Sequence, residues 1–451
     1  MDDKLNKILN LVDSYIQEKN ERDEQWVPGK DWVSYSGPTF DGKEYVSAIK
    51  TLLSEWLVFG KNARNFEIEF SKEMGKKHGI LTNSGSSANL LMVSCLLSKD
   101  KYVKNNFNIN KGDKFITPVT CFPTTLNPLL QCGLEPVFVD VDLPSLNLNL
   151  DQVEEALSED RSIKGIIFAH VLGNPPDMDR LMAIVKKYNL LFLEDACDAL
   201  GSTYDGKKLG SFGEMSTCSF YPAHHMTMGE GGFVATNSGK LRSILSSIRD
   251  WGRACYCNTA KPGDVVNGTA CGFRFNNWLP GCADAVYDHR YVYDQIGYNL
   301  KPLDLQASMG LQQLKKLERM HEARKVNFKK LTEIFRPYSR YLHLPEATEK
   351  SDPSWFAYLL TVKDNCSFKK QDFVNHLEEA KIQTRSYFSG NILYHPGYQH
   401  LASKYDNIKE RFPNADKATR NSFFLGTYIG ITEEKLDYIK SVVDKFFLDK
   451  E

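Results

Sequence analysis

Ser219-Phe220-Tyr221-Pro222-Ala223-His224-His225, followed after three residues by Gly229-Glu230-Gly231-Gly232, joins two β-rich runs, Met215 to Tyr221 and Gly232 to Asn237. Similar short runs recur toward the amino terminus: Lys114 to Pro118, Glu135 to Asp140, Ile163 to His170 and Leu190 to Asp195. Helical stretches separate them. Over residues 61–310 this alternation predicts an α/β domain, a large and mostly parallel sheet with helices on its faces. A helix from about Leu303 to Phe335, broken near Arg319, is expected to lead into a smaller α+β domain over residues 311–451. Residues 1–60 read as an arm. Leu5, Ile8, Leu9, Leu11, Val12 and Ile16 fall at roughly helical spacing, and an irregular stretch follows around Pro28 and Pro38. There are no internal repeats and no low-complexity linker.

The 451 residues suffice for two or three domains and a large core. A hydrophobic fraction of 42% and a charged fraction of 25% are those of an ordinary soluble globular protein. A formal net charge of -1 offers no field for nucleic acid, so a small acidic ligand has to be held by local donors. The charged start Met1-Asp2-Asp3-Lys4 lacks the apolar core of a signal peptide, and no apolar run approaches the roughly 20 residues of a membrane span. A reducing cytoplasm is the expected location.

Several residues stand where ligand chemistry needs them. Asp195 ends an apolar strand and emerges at a carboxyl edge, the ligand side of an α/β sheet, although a strand-end carboxylate can also simply cap a turn. Thr82-Asn83-Ser84-Gly85-Ser86-Ser87-Ala88 precedes the apolar run Leu90-Leu91-Met92-Val93 and reads as a loop opening a helix. Small residues there leave backbone N–H groups and hydroxyls free for a phosphate, but Ser and Gly are also common in plain N-caps. Phe122 follows a strand, where a Phe is usually core.

The ten cysteines divide into two kinds. Isolated ones such as Cys95, Cys132, Cys218 and Cys366 fit as small buried apolar residues. Cys255-Tyr256-Cys257, in a loop with Gly, Asn and Thr, is poorly placed to pack in a core. With Cys197 and Cys271 it makes the pattern C-x57-C-x-C-x13-C. Four thiolates suit an iron-sulfur cluster or a structural zinc equally well, and a disulfide is disfavoured without a secretory context.

The Ser219 to Gly232 frame resembles the Schiff-base segment Ser-Phe-x-Pro-x-Lys-x-x-x-x-Gly-Glu-Gly-Gly of the DegT/DnrJ/EryC1/StrS sugar aminotransferase family. That family is a branch of the fold-type I pyridoxal-phosphate (PLP) transferases, which are built like aspartate aminotransferase. His224 occupies the lysine position. A lysine amine forms an imine with the cofactor aldehyde and moves protons, whereas an imidazole only moves protons. The resemblance therefore implies an enzyme of pyridoxamine 5'-phosphate (PMP) that does not transaminate. The cysteine pattern is similar to C-x57-C-x-C-x7-C of the family's iron-sulfur branch, the 3-dehydrases of CDP-linked 6-deoxy-4-hexuloses. The last spacing is six residues longer here, an insertion of small entropic cost. Cys271-Gly272-Phe273-Arg274-Phe275 matches that branch's Cys-Gly-Lys-Arg-Phe, which favours Cys271 as fourth ligand and keeps Cys282 in reserve.

By the same resemblance, Gly85, Ser86 and Ser219 hold the cofactor phosphate, Phe122 stacks on its ring and Asp195 keeps the pyridine nitrogen protonated. Asn299 of Gly297-Tyr298-Asn299 reaches the phosphate in a neighbouring subunit, which calls for a homodimer. Asp198 stands where the family often has Gln, so its role is open. Arg385 is either a diphosphate ligand or a surface salt-bridge residue. The implied reaction removes the C3 hydroxyl of a nucleotide-linked 4-keto-6-deoxyhexose, with His224 moving a proton at the cofactor's 4'-carbon. A [2Fe-2S] cluster on Cys197, Cys255, Cys257 and Cys271 relays electrons from an NAD(P)H-dependent flavin or iron-sulfur reductase. The alternatives are a cluster-free 3-dehydratase that recovers its amine from glutamate, an ordinary aminotransferase, and a zinc-stapled binding protein without catalysis. CDP is the favoured nucleotide over dTDP.

Overall fold

Gly165-Ile166-Ile167-Phe168-Ala169 and Leu191-Phe192-Leu193-Glu194-Asp195 form adjacent parallel strands that are buried almost throughout. Near-continuous apolar runs of this kind mark strands covered on both faces. The computed structural model describes residues 3–23, 25–254, 275, 279–282, 284–448 and 450. In it these two strands lie at the centre of a seven-stranded sheet, in the order His78–Thr82, Gly232–Thr236, Met215–Ser219, Leu191–Asp195, Gly165–Ala169, Lys114–Pro118, Glu135–Val139. Gly232–Thr236 runs antiparallel to both its neighbours, and the other pairings are parallel.

Side chains alternate across the sheet, so each strand feeds two cores. Ile166, Phe168, Phe192 and Phe233 enter one core with Phe66 and Phe70 of the helix Lys61–Glu73. Ile167, Leu193 and Val234 enter the other, against Leu91, Met92 and Cys95 of the helix Gly85–Leu96. Each fully buried Phe or Leu contributes roughly 1.5–3 kcal/mol. The same alternation turns Asp195, two residues beyond Leu193, toward the helix Gly85–Leu96, and sends Glu194 to the opposite face.

Five of the six strands expected from the sequence are one to three residues shorter than predicted, and Lys114–Pro118 matches its expected bounds. The strand His78–Thr82 was not expected. The linking helix breaks earlier than expected: Asp304–Leu314 and Leu317–Phe335 meet at Lys315 and Lys316. Lys316 turns there to pair with Asp41 at 2.8 Å and Glu44 at 2.7 Å. The arm carries two helices, Asp3–Asp23 and Gly42–Leu52. After Phe335, a four-stranded sheet runs in the order Leu342–His343, Ala357–Val362, Ser422–Gly426, Arg385–Ser386. It packs through Tyr358, Leu360 and Phe423 on Phe335, Phe373 and Phe447. No helix among the described residues is long and apolar enough to cross a membrane.

Candidate active site

The carboxyl ends of the central parallel strands open into a cleft of about 660 Å3. Asp195 forms part of its wall and is only 3% exposed. Its Oδ2 accepts hydrogen bonds from Asn89 Nδ2 and Thr125 Oγ1, both at 2.8 Å, and its Oδ1 accepts one from the Cys197 backbone N–H at 3.1 Å. Asn89 is itself fixed, because its Oδ1 accepts from Thr217 Oγ1 at 2.7 Å. All these donors are neutral, and among the described residues no Lys, Arg or His forms an ion pair with Asp195. A desolvated carboxylate facing a cleft under those conditions is matched to a cationic group on a ligand.

At the other side of the cleft the helix Gly85–Leu96 begins. Ser84 is its N-cap, with Oγ accepting from the Ser87 N–H at 3.1 Å. Ser84, Gly85, Ser86 and Ser219 line the cleft together. Gly85 is required by close approach, since a Cβ there would lie 2.5 Å from the Ser219 Cβ. The free N–H groups at the start of the helix and the serine hydroxyls make a cradle for an anion. A carboxylate awaiting a cation and an anion cradle in one cleft fit a zwitterionic phosphate cofactor of the pyridoxamine type.

His224 also lines the cleft. Its Nδ1 lies 3.4 Å from Asp198 Oδ1, its ring centre is 5.4 Å from that of Phe356, and its backbone N–H donates to the Tyr221 carbonyl at 3.0 Å. Burial pushes the Asp198 carboxyl up; His224 pulls it back, Asp195 pushes it further up and Arg324 lowers it. The neighbouring His225 has a different role. It is buried away from the cleft, its Nε2 donates to the Ser354 carbonyl at 2.5 Å, and burial with the Arg324 charge holds it well below the usual histidine range. No lysine among the described residues lines the cleft.

Phe122, 49% exposed, and Arg385 also contribute to the cleft wall. Arg385 sits with its guanidinium 4.5 Å from the centre of the Tyr35 ring, and its Nη1 donates to the Thr384 carbonyl. Asn299 does not line the cleft of its own chain; it is exposed and bridged through its backbone to Asp250. Cys197 is half-buried and lines the cleft, and burial followed by the Asp195 charge pushes its thiol up. Cys255, Cys257 and Cys271 lie outside the described residues. Cys282 is exposed, with its Sγ 3.7 Å from Asp284 Oδ1. Among the described residues no group of three or more His, Cys, Asp or Glu is arranged to hold a metal ion. The polar support of Asp195 by Asn89, Thr125 and Thr217, and the Asp198 contact to His224, were not read from the sequence. Asn89 carried one signal, a polar residue directly before the apolar run Leu90-Leu91-Met92-Val93.

The sheet order, its one antiparallel strand and the cleft with its carboxylate and anion cradle define a fold-type I PLP-dependent transferase fold. The chain belongs to the DegT/DnrJ/EryC1/StrS aminotransferase family, whose profile matches residues 39–444. It is 42% identical over 441 residues to the lipopolysaccharide biosynthesis protein RfbH of Salmonella typhimurium, covering 98% of this chain and 97% of that one. It is 40% identical to the dTDP-4-dehydro-2,6-dideoxy-D-glucose 3-dehydratase of Saccharopolyspora spinosa, covering 98% and 92%. Among solved structures it resembles the E. coli GDP-4-keto-6-deoxy-D-mannose-3-dehydratase with bound hydrated PLP, with a TM-score of 0.78 and 29% identity over 91% of this chain and 99% of that one.

Proposed function

We propose that this chain is a PMP-dependent 3-dehydratase that removes the C3 hydroxyl of a nucleotide-linked 4-keto-6-deoxyhexose. The observation that carries the reading is the cleft with His224 in its wall and no lysine among its described lining residues. When bound, the cofactor supplies an amine for the sugar ketone and a protonated ring that accepts negative charge. Asp195 holds the ring nitrogen, and Gly85, Ser86 and Ser219 hold the phosphate. Phe122 covers the ring face. His224, oriented through Nδ1 by Asp198, moves the proton at the cofactor's 4'-carbon and is free to hand a proton to the departing hydroxyl. Arg385 at the wall binds the nucleotide diphosphate. Asn299, exposed on its own protomer, reaches the phosphate of a second copy in a homodimer.

Two endings of the reaction are open to this site. In the first, glutamate restores the amine and no external electrons enter; the likeness to a GDP-4-keto-6-deoxymannose-3-dehydratase structure with a trapped PLP-glutamate geminal diamine favours it. In the second, a [2Fe-2S] cluster on Cys197, Cys255, Cys257 and Cys271 delivers two electrons one at a time from a partner reductase, with a CDP-linked sugar as substrate. The thiol of Cys197 in the cleft wall favours that ending. Protein purified anaerobically from iron-replete cells separates them. Two iron and two acid-labile sulfide per chain, lost in Cys255→Ser and Cys257→Ser, support the reductive ending. Iron-free protein that turns over with glutamate alone supports the first.

A further inference from the structure

Behind His224, on the side away from the cleft, lies Arg324 of the helix Leu317–Phe335, a guanidinium only 3% exposed. A buried cation ordinarily pairs with a carboxylate. Here the described hydrogen-bond partners are all neutral oxygens. Nη1 donates to the Phe356 carbonyl at 2.9 Å, the Trp355 carbonyl at 3.3 Å and Thr427 Oγ1 at 3.5 Å. Nη2 donates to the His224 carbonyl at 3.3 Å. One side chain therefore ties the loop after the strand Met215–Ser219 to two segments that flank the four-stranded sheet. Burial draws the guanidinium down to about 10, so it stays charged at neutral pH. Its neighbours on the same helix face bind the same segments: His321 Nδ1 lies 2.7 Å from Ser354 Oγ, and Asn327 Nδ2 donates to the carbonyls of Thr427, Tyr428 and Ile431.

We propose that Arg324 is a positioning residue for His224: its fork fixes the His224 backbone against the 355–356 and 427 segments, and this holds the imidazole against Asp198 and the cleft. The cofactor and sugar contacts assigned above lie elsewhere, so Arg324 acts through the His224 backbone and through its charge near Asp198, and Arg324→Lys retains that charge. Lysine keeps the charge but has no planar fork and cannot reach the same oxygens together. The inference rests on the reading of His224 as the group that moves the proton.

The test compares wild type with Arg324→Lys by steady-state kinetics, by PMP binding, and by backbone hydrogen exchange of the peptide covering residues 221–228. The expected result is a kcat lower by about 10- to 100-fold, the scale of an ångström-sized misplacement, with KM and PMP affinity within about threefold of wild type. Exchange should rise over 221–228 and stay unchanged in the central strand 191–195. An unchanged kcat or unchanged exchange over 221–228 overturns the proposal. So does a parallel loss of kcat, substrate binding and PMP affinity with faster exchange throughout, which is the pattern of general loosening. If the lysine variant does not fold, Thr427→Val removes one oxygen of the cradle together with the 2.7 Å hydrogen bond that Thr427 Oγ1 donates to the Trp355 carbonyl, itself an acceptor for Arg324. It should give the same selective pattern at about two- to tenfold, and no change in it overturns the proposal. Should wild type dehydrate no nucleotide sugar, the functional reading fails, while the exchange measurement still decides whether Arg324 holds the His224 loop.

Discussion

Replacing Asp195 by Asn isolates the role of its charge, because the surrounding hydrogen bonds dictate how the new amide sits. Two donors, Asn89 Nδ2 and Thr125 Oγ1, meet Oδ2. The Asn oxygen must therefore take that place, and its NH2 group faces the Cys197 N–H, where Oδ1 had accepted. One hydrogen bond is lost, at roughly 1–3 kcal/mol, but a desolvated negative charge is also removed. These terms oppose each other, so the fold should persist with a modest change in stability. Cofactor binding has no such compensation. A hydrogen bond from a protonated ring nitrogen to a carboxylate contributes about 1.5–3 kcal/mol, so Asp195→Asn should weaken PMP binding by about 10- to 150-fold. Titration of the PMP absorbance or fluorescence into the cofactor-free protein measures this directly, with thermal unfolding as the check on folding. A folded Asp195→Asn protein with wild-type PMP affinity would refute the assignment of Asp195 to the ring nitrogen.

His224→Asn should keep PMP but lose about a hundredfold or more in turnover, the usual contribution of a general base, and His225→Asn should not reproduce that selective loss. The kinetic comparison fails the assignment if the two histidines exchange these behaviours. In the proposed homodimer Asn299→Ala should weaken PMP binding by roughly 1–3 kcal/mol, read by equilibrium titration alongside sedimentation; unchanged affinity in a protein that sediments as a dimer removes Asn299 from the site. Burial holds His321 down at about 3 in the folded protein, so the unfolded chain binds the extra proton first. Its contribution to stability is full above about pH 6.5 and is lost as the pH falls toward 3. Denaturant unfolding of His321→Gln should accordingly show a flatter acid limb than wild type over that window, and superimposable limbs would refute the burial argument.

The sheet was legible because its strands are covered on both faces and read as apolar runs, and Asp195 was legible because it ends one of them. His78–Thr82 gave no such signal. It is an edge strand containing Gly79, whose missing side chain leaves room for the Phe233 ring, since a Cβ there would fall 1.9 Å from it. The helix Gly42–Leu52 did have a signal in the sequence, the Asp41 and Glu44 spacing of a capping box, and the structure contains that box. The early break in the linking helix has no breaker residue to announce it and follows from the tertiary pairing of Lys316 with Asp41 and Glu44. At the site, the single residue His224 was readable because its frame is local. The groups around the site were not. Asp198 and Arg324 at His224, and Asn89, Thr125 and Thr217 around Asp195, come from separate elements, and only the folded chain brings them together.

The proposed reaction removes the oxygen from sugar carbon 3 in a cleft with no lysine among its described lining residues. The direct measurement incubates PMP-loaded protein with CDP-, dTDP- or GDP-linked 4-keto-6-deoxyhexose in water enriched in heavy oxygen, followed by mass spectrometry and NMR of the nucleotide sugar. Oxygen at C3 should be exchanged or lost in at least one of these substrates, and that exchange should vanish in His224→Asn. A nucleotide sugar that keeps its original C3 oxygen and instead gains an amino group at C4, with a borohydride-fixed pyridoxyl group on a lysine of this chain, would contradict the proposed reaction.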